Sequence, residues 1–256
     1  MTQIFRETIG ITCLLWMRPD IPREQAMQYW RGPHSELVRA SPGFLDYRQH
    51  HFPADGPGLW PEIDGVETAI PDGRRIDGVP EVHVVEMPME SEAGYAHQMR
   101  IHADEHNVFG RTLLHSTEPG DGRMWATATR GEVGARTFVL IRKRNDVADS
   151  DLRAAINDRI GPALAAVPGL TELRTQVFVP WTVESWDTPN VAHDYPEDTR
   201  YHASMVLGSP DETALLAALQ SDQVSAIADD IRSSASAVHA YPVAATYTYV
   251  RDGQQV

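Results

Sequence analysis

Cysteine is nearly absent from this chain of 256 residues, which contains only Cys13, inside an apolar stretch. One cysteine excludes an internal disulfide, and a thiol in apolar surroundings is usually reduced and structural. Basic side chains are also scarce, since 36 aspartates and glutamates outnumber 22 lysines and arginines and give a net charge of -14. Such a surface repels phosphate backbones, so we expect no nucleic-acid partner. We predict a soluble, cytoplasmic protein.

Membrane-spanning runs and phosphate-binding motifs are lacking as well. The apolar stretch of residues 9–17 is followed by Arg18-Pro19-Asp20, not by a small-residue cleavage site. It is also too short for a helix that crosses a bilayer, which needs about 20 residues. We interpret it as a buried strand and expect no membrane partner. The absence of a dinucleotide fingerprint, a phosphate-binding glycine loop and a nucleophile elbow disfavours nucleotide cofactors and serine-hydrolase chemistry.

What the sequence does contain is a repeat. Shifting the chain by the 126 positions that separate Pro42 from Pro168 also aligns Arg48 with Arg174, and the hydrophobic pattern agrees throughout. Each half reads as a strand, a helix, two strands, a second helix and a closing strand. We therefore predict an α+β protein of two tandem ferredoxin-like (βαββαβ) repeats, residues 1–132 and 133–256, that form a pseudo-dimeric α+β barrel.

The periodicity also predicts where the elements lie. In the first half we expect strands at residues 9–17, 44–52, 81–87 and 124–129 and helices at 22–40 and 92–106; in the second half, strands at 137–141, 170–179, 200–207 and 244–250 and helices at 149–166 and 211–231. Each half also carries a long insertion, residues 53–80 and 180–198. Loops of this length in compact domains are usually functional or disordered. Their tryptophans and tyrosines predict ordered lids.

Three motifs in the first half resemble a known family. Residues 29–34 read Tyr-Trp-Arg-Gly-Pro-His, residues 42–49 read Pro-Gly-Phe-Leu-Asp-Tyr-Arg-Gln, and residues 77–82 read Asp-Gly-Val-Pro-Glu-Val. They resemble the helix, the second strand and the start of the third strand of EthD-like proteins in the dimeric α+β barrel superfamily. The resemblance covers most of the first half. The second half shares only Pro168-Gly169 and the hydrophobic pattern.

The resemblance implies a pocket between helices and sheet, and ligands that are small, largely apolar and often aromatic or polyketide-like. Members range from cofactor-free cyclases, decarboxylases and dehydratases to monooxygenases, and more distant relatives hold haem, so the fold does not choose the chemistry. Two positions depart from the pattern: His83 stands where the family often has an aromatic residue, and His34 corresponds to Ile160 in the second half. A homodimer of the whole chain is a candidate assembly.

Histidines concentrate in the first half, which holds eight of the 11. His34 follows Trp30 by four positions, which puts both on the buried face of the first helix. An imidazole titrates near neutral pH, so His34 can exchange a proton with a substrate carbonyl or hydroxyl. The alternative is a core histidine bonded to a backbone carbonyl.

His83 and Glu81 form a second candidate pair. They share one face of their strand, so the carboxylate can orient the imidazole for acid/base work. The alternative is a Glu81 that is solvated at the start of the strand.

Strand 44–52 supplies further candidates on both of its faces. His50 and His51 point in opposite directions, His50 with Arg48 and His51 with Tyr47, and the sequence does not say which face meets the helices. Tyr47 or Arg48 would polarise a substrate oxygen. Of the aromatic residues, most of which are core in such proteins, we expect Trp60 and Trp30 to wall the pocket.

Residues 102–106 match the H-x-x-E-H pattern of inverted zinc peptidases. The match is short and the third ligand cannot be picked out, so a polar helix end around Asp104 and Glu105 is the simpler interpretation. A metal or haem site that uses His102 or His106 stays open.

These residues together predict a cofactor-independent lyase or isomerase for a small aromatic or polyketide-like carbonyl compound. His34 would be the general acid/base, assisted by His83 and Glu81, and we expect neither a cofactor nor a metal. Two alternatives remain: a haem- or metal-dependent monooxygenase or dehydratase, and a non-catalytic protein that binds a small molecule.

Overall fold

An antiparallel sheet of ten strands runs through the residues that the computed structural model describes, 4–87 and 92–256. Residues 1–3 and 88–91 of the first predicted repeat lie outside the described residues. The strands are β1 (Ile4–Met17), β2 (Phe44–His51), β3 (Gly78–Val84), β4 (Phe109–Trp125), β5 (Ala135–Lys143), β6 (Glu172–Phe178), β7 (Ala203–Ser209), β8 (Ala235–Pro242), β9 (Ala245–Arg251) and β10 (Gln254–Gln255).

The order of the strands repeats. The sheet reads β10-β9-β2-β3-β1-β4-β6-β7-β5-β8, so that the order β2-β3-β1-β4 in the first half recurs as β6-β7-β5-β8 in the second. Strand β4 joins the halves by pairing with both β1 and β6. At the other end β9 pairs with β2. Only Val243 and Ala244 separate β8, which pairs with β5, from β9, which pairs with β2, so this last stretch of chain also connects the two halves.

The helices lie close to their expected positions. They are α1 (Arg23–Tyr29), α2 (Ser35–Arg39), α3 (Glu92–Glu105), α4 (Asp149–Ala154), α5 (Gly161–Ala165), α6 (Glu212–Leu219), α7 (Asp222–Ala226) and α8 (Ala228–Ser234). Wider π-helical turns, Trp30–His34 and Ala155–Ile160, connect α1 to α2 and α4 to α5, at equivalent places in the two halves. The helix expected at 211–231 is instead three short ones, because the Ser221 hydroxyl accepts from Val224 N and starts a new helix.

Several strand predictions were wrong at their ends. The first closing strand begins at Phe109, well before residue 124, whereas the strand expected at 244–250 is present as β9 and is preceded by β8, which was not predicted. Pro119 and Gly120 are typical of turns, so the first part of β4 was not predicted as a strand. Its pairing with β6 is interrupted at these residues and resumes at Gly122. The third strands also begin three residues from their predicted starts: β3 begins earlier, at Gly78, and β7 begins later, at Ala203.

Four apolar regions make up the core of the described residues, and the smallest of them includes Tyr47 and Val82. One lies between the sheet and α4–α8 of the second half and includes Ile156 and Ile160. A second, on the face of the sheet that both halves share, includes Leu14 and Phe138. The third lies under α1 and includes Cys13 and Trp30. Since neighbouring strand residues point to opposite faces, Cys13 and Leu14 belong to different regions. We call the shared region the barrel interior.

Each insertion crosses to the other half. Trp60, Ile63 and Val66 of the first insertion pack into the core of the second half. Trp186 and Val191 of the second insertion pack against the core of the first half. These side chains of the insertions therefore pack against the body of the fold. Among the described residues, no helix has the length and apolar character needed to cross a membrane.

Candidate functional site

A pocket of about 910 Å³, counting its open mouth, lies between the first-half sheet and helices α1–α3. Apolar side chains from β1, β4 and the helices form most of its wall. The polar side chains at its surface include His34, Gln98 and Glu105. Its other lining residues are Ile11, Cys13, Leu15, Trp30, Val38, Ser41, Pro42, Phe44, Tyr47, Pro80, Val82, Met87, Gly94, Ile101, Phe109, Leu114, Ser185 and Trp186.

His34 occupies the last position of the first π-helical turn and is 4% exposed. Its Nδ1 lies 2.9 Å from Oδ2 of Asp104, in the last turn of α3. Asp104 Oδ1 accepts from the Tyr29 hydroxyl at 2.6 Å and from the Asn107 amide at 3.1 Å. The hydrogen bond from His34 lowers the pKa of Asp104 to about 2. An ionised Asp104 holds the proton of His34 on Nδ1 and leaves Nε2 as the basic nitrogen.

Glu105 is next to Asp104 in sequence but has opposite surroundings. Its carboxylate is buried and accepts from Trp186 Nε1 at 2.9 and 3.0 Å and from the Thr188 hydroxyl at 2.5 Å. Burial raises the pKa of Glu105. Two carboxyl groups whose pKa values shift in opposite directions suit different roles in proton transfer.

The second half therefore closes the pocket of the first. Ser185 and Trp186 line the pocket from the second insertion, and the two hydrogen bonds to Glu105 attach this segment to α3. His193 adds to the attachment, with its Nδ1 2.8 Å from the backbone oxygen of Thr112 in β4.

Three residues predicted for the site line the pocket together: His34, Trp30 and Tyr47. His51 stacks on Trp30 with ring centroids 4.1 Å apart and planes 7° from parallel, on the same face of β2 as Tyr47. Burial lowers the pKa of His51 to about 3, so it is neutral in the folded protein. From Tyr47 onward, the odd-numbered side chains of β2 are thus the ones that face the helices.

The predicted partnership of His34 with His83 and Glu81 needs correction. His83 Nε2 does lie 3.2 Å from Glu81 Oε1, and Glu81 is 1% exposed, not solvated. His83 Nδ1 lies 2.7 Å from the Thr8 hydroxyl. However, Pro80 and Val82 line the pocket, so the alternate residues Glu81 and His83 point to the barrel interior. The sheet separates them from His34.

Arg48 and His50 also point to the barrel interior, away from the pocket. His50 Nε2 lies 3.4 Å from Glu81 Oε2. Arg48 contacts Glu172 and, at 3.0 Å, Asp46. These side chains belong to a buried ionic network that links the halves. Burial alone would raise the pKa of Glu81, but the charge of Arg174 and the hydrogen bonds from His50 and His83 outweigh it, and the pKa is lowered.

Trp60 was expected to wall the pocket of the first half but lies in the core of the second half. Ile160, the counterpart of His34, belongs to the same cluster and is fully buried. Apolar side chains thus fill the place in the second half that corresponds to the surroundings of His34.

The H-x-x-E-H residues have separate surroundings. The His102 ring packs against Trp186 with centroids 4.3 Å apart, Glu105 binds the second insertion, and His106 is exposed. In the described part of the chain, no group of three or more His, Cys, Asp or Glu side chains is arranged to hold a metal ion. Asp104 and Glu105 were expected only as a polar helix end, and their contacts with His34 and Trp186 were not predicted. Their spacing of three and four residues from Ile101, which places them near its side of the helix, was the available signal.

No family model and no curated protein matches the sequence. Solved structures match along its whole length. A candidate monooxygenase from Lactobacillus acidophilus superposes with a TM-score of 0.56 at 9% identity, over 98% of this chain and 99% of its own. An anthrone oxidase-like protein gives 0.54 at 11% identity, over 100% and 98%. A candidate monooxygenase from Fusobacterium nucleatum gives 0.53 at 6% identity, over 99% of both. At such identities the likeness shows a shared fold alone.

Proposed function

We propose that this chain is an enzyme that moves a proton on a small, largely apolar carbonyl or phenolic compound, as a cofactor-independent lyase or isomerase. The observation that carries the proposal is the His34–Asp104 hydrogen bond of 2.9 Å at the surface of an apolar pocket. An imidazole with one nitrogen held by a carboxylate is the arrangement of a general base.

The pocket supplies both directions of proton transfer. His34 Nε2 takes the proton from an acidic carbon or a hydroxyl, and Asp104 stabilises the imidazolium that results. Glu105, whose pKa burial raises, can hold a proton and donate it to the substrate oxygen. Apolar walls and the second insertion exclude water, which strengthens both electrostatic interactions.

The shape of the pocket limits the substrate. Aromatic and aliphatic side chains, among them Trp30, Phe109 and Leu114, offer contact to a flat apolar body, while His34, Gln98 and Glu105 are positioned to contact its oxygen atoms. A small aromatic or polyketide-like carbonyl compound has this distribution of polarity.

The same proposal includes the architecture. Residues 1–132 and 133–256 would be tandem ferredoxin-like repeats, the first related to EthD-like proteins and the second a built-in partner in place of a second chain. The repeated strand order, the equivalent π-helical turns and the crossed insertions support this division. A second repeat of this kind would act on the reaction through Trp186 and Thr188, which hold Glu105.

The test is a panel of aromatic and polyketide-like carbonyl compounds incubated with the protein, with products identified by mass spectrometry. We expect turnover of at least one class, and a loss of roughly 10²- to 10⁴-fold in kcat/KM for His34→Gln. His106→Gln, at an exposed histidine that directly follows α3, is the matched control and should leave turnover unchanged. Binding of compounds without any product, or a Soret band in the purified protein, would contradict the proposal.

A further inference from the structure

We propose that a second pocket, on the barrel-interior side of the sheet, binds the carboxylate of a small organic acid. This pocket measures about 530 Å³, counting its open mouth. Its walls come from both insertions, with Gly73 and Arg74 from the first and residues 194–196 from the second. Its floor is apolar and consists of Leu14 in β1 and Leu113 in β4.

Two arginines give this pocket a positive charge. Arg74 and Arg111 both line it, in a chain whose net charge is -14. The Arg111 guanidinium lies 4.8 Å from the centre of the Trp16 ring, and that of Arg74 lies 5.6 Å from the centre of the Tyr201 ring. Aromatic faces hold the planar guanidinium groups in place, so little conformational entropy is lost when an anion binds between them.

Among the described residues, neither arginine has an acceptor for every one of its N–H groups. Arg74 Nη1 donates to the backbone oxygen of Thr199, and Arg111 Nη2 donates to the backbone oxygen of Asp194. The buried Nε of Arg111 has no hydrogen-bond partner among the described residues. A buried donor without an acceptor is costly, and a ligand oxygen would remove that cost.

The charge balance favours a monoanion. Asp194 is the acidic residue among those that line the pocket, and its carboxylate lies 3.2 Å from Arg111. That carboxylate is 75% exposed, so solvent screens the pair and a ligand can displace it at small cost. Two guanidinium groups against one exposed carboxylate leave one positive charge for a carboxylate ligand.

Tyr195 and Tyr201 contribute the apolar faces of their rings to this pocket, because their hydroxyl groups contact other protein groups. Tyr195 OH accepts from the backbone N–H of Tyr201 at 2.6 Å. Tyr201 OH lies 2.6 Å from His239 Nδ1, and His239 Nε2 lies 2.9 Å from Glu67. With their hydroxyls bound, the two rings and Leu14 and Leu113 offer an apolar surface. An acid with an aromatic or aliphatic body therefore fits better than an inorganic anion.

This site is separate from the pocket that contains His34. Leu14 and Leu113 form the floor here, whereas their neighbours Cys13 and Leu114 line the other pocket, on the opposite face of the sheet. The second site thus does not depend on the proposed proton transfer. Since both insertions form it, an acid bound here would connect the segments that cross between the halves.

The experiment is isothermal titration calorimetry of the full chain with benzoate, with benzamide as the neutral analogue of the same shape and sulfate as an anion without an apolar body. We expect benzoate to bind and benzamide and sulfate to bind at least tenfold more weakly. Arg74→Gln and Arg111→Gln should each weaken benzoate at least tenfold. Arg144→Gln, which removes an exposed arginine paired with Asp146, and His34→Gln should leave benzoate binding unchanged.

Equal binding of benzoate and benzamide, unchanged affinity in both pocket variants, or loss of binding in His34→Gln would overturn the proposal. Crystals soaked with 4-bromobenzoate give a readout that needs no variant. The anomalous bromine peak is expected over Leu14 and Leu113, with the carboxylate between Arg74 and Arg111. A peak in the His34 pocket alone would overturn the assignment.

Discussion

Arg174 in the second half reaches Asp46 in the first, with Nη1 3.2 Å from Oδ1 and Nη2 3.4 Å from Oδ2. Arg48, which precedes Arg174 by the 126 positions of the repeat, contacts Glu172, which follows Asp46 by the same number. Each arginine also contacts the carboxylate two residues away on its own strand, at 3.0 Å for Arg48 and 3.3 Å for Arg174. Two ion pairs at equivalent positions, Arg174–Asp46 and Arg48–Glu172, therefore join the two halves on one face of the sheet.

Replacing Arg174 should strongly destabilise the fold. Arg174→Met leaves the buried carboxylates of Asp46 and Glu81 without this cation, and we expect a loss of about 3–5 kcal/mol in the free energy of unfolding. Urea denaturation measures it. Arg144→Met is the control, because the Arg144–Asp146 pair is exposed and should contribute at most about 1 kcal/mol. Similar losses in the two variants would show that the buried network does not hold the halves together.

Removing Trp186 should open the first pocket without unfolding it. Trp186→Ala deletes an aromatic wall and a hydrogen bond to Glu105, so the Kd for an apolar phenol such as 2-naphthol should rise by about tenfold or more. Fluorescence titration follows the binding. Trp181→Ala is the matched control, since Trp181 belongs to the same insertion but packs against Tyr195, with ring centroids 5.4 Å apart. An equal effect of both variants would argue against a direct role of Trp186.

His115 should make the protein sensitive to acid. It is 2% exposed, neither ring nitrogen has a partner among the described residues, and burial lowers its pKa to about 3. The unfolded chain takes up this proton near pH 6.5, whereas the folded chain does so only near pH 3. Between these values the unfolded state binds more protons, so stability falls as the pH falls.

His115→Phe should therefore flatten the dependence of the melting temperature on pH. The ring still stacks on Phe178, with the present centroids 4.4 Å apart, and loss of two unpaired buried nitrogens should stabilise the fold by about 1 kcal/mol at pH 7. Some dependence should remain, because burial lowers the pKa of His51 to about 3 and of His202 and His239 to about 4. His106→Gln should not change the slope. A slope for His115→Phe equal to that of the unaltered protein would refute this account.

The helical and strand periods of the sequence predicted those site residues that lie on a single helix or strand. The four-residue spacing of Trp30 and His34 placed both on the buried face of one helix, and both line the pocket. Tyr47 and His51 followed from the two-residue period of a strand, although the sequence could not say which face met the helices. Only the packed structure decides that question, because both faces of β2 are buried.

The remaining features depend on contacts between segments far apart in sequence. Trp60 was expected at the first pocket but packs in the second half, since each insertion crosses over, and no local pattern records a crossing. For the same reason Trp186 was not assigned to Glu105, 81 positions away. Glu81 and His83 were correctly expected to share a face, but that face lies opposite His34.

Asp104→Asn should reduce catalysis while the fold persists. The amide keeps the size of the side chain but cannot stabilise an imidazolium, and it permits the wrong tautomer of His34. We expect kcat to fall on the order of 10²-fold or more, by analogy with other carboxylate–imidazole pairs. Asn107→Ala removes a different hydrogen bond to Asp104, at 3.1 Å, and should cost much less. Equal losses would assign Asp104 a structural role only.

Proton abstraction by His34 is tested most directly by hydrogen–deuterium exchange of 2-tetralone in D₂O, followed by proton NMR. This ketone has acidic protons next to its carbonyl and an aromatic body that suits the first pocket. The account predicts exchange well above the buffer rate, reduced roughly 10²-fold or more in His34→Gln and unchanged in His106→Gln. Exchange by His34→Gln at the rate of the unaltered protein, or binding of 2-tetralone with no exchange above buffer, would contradict it.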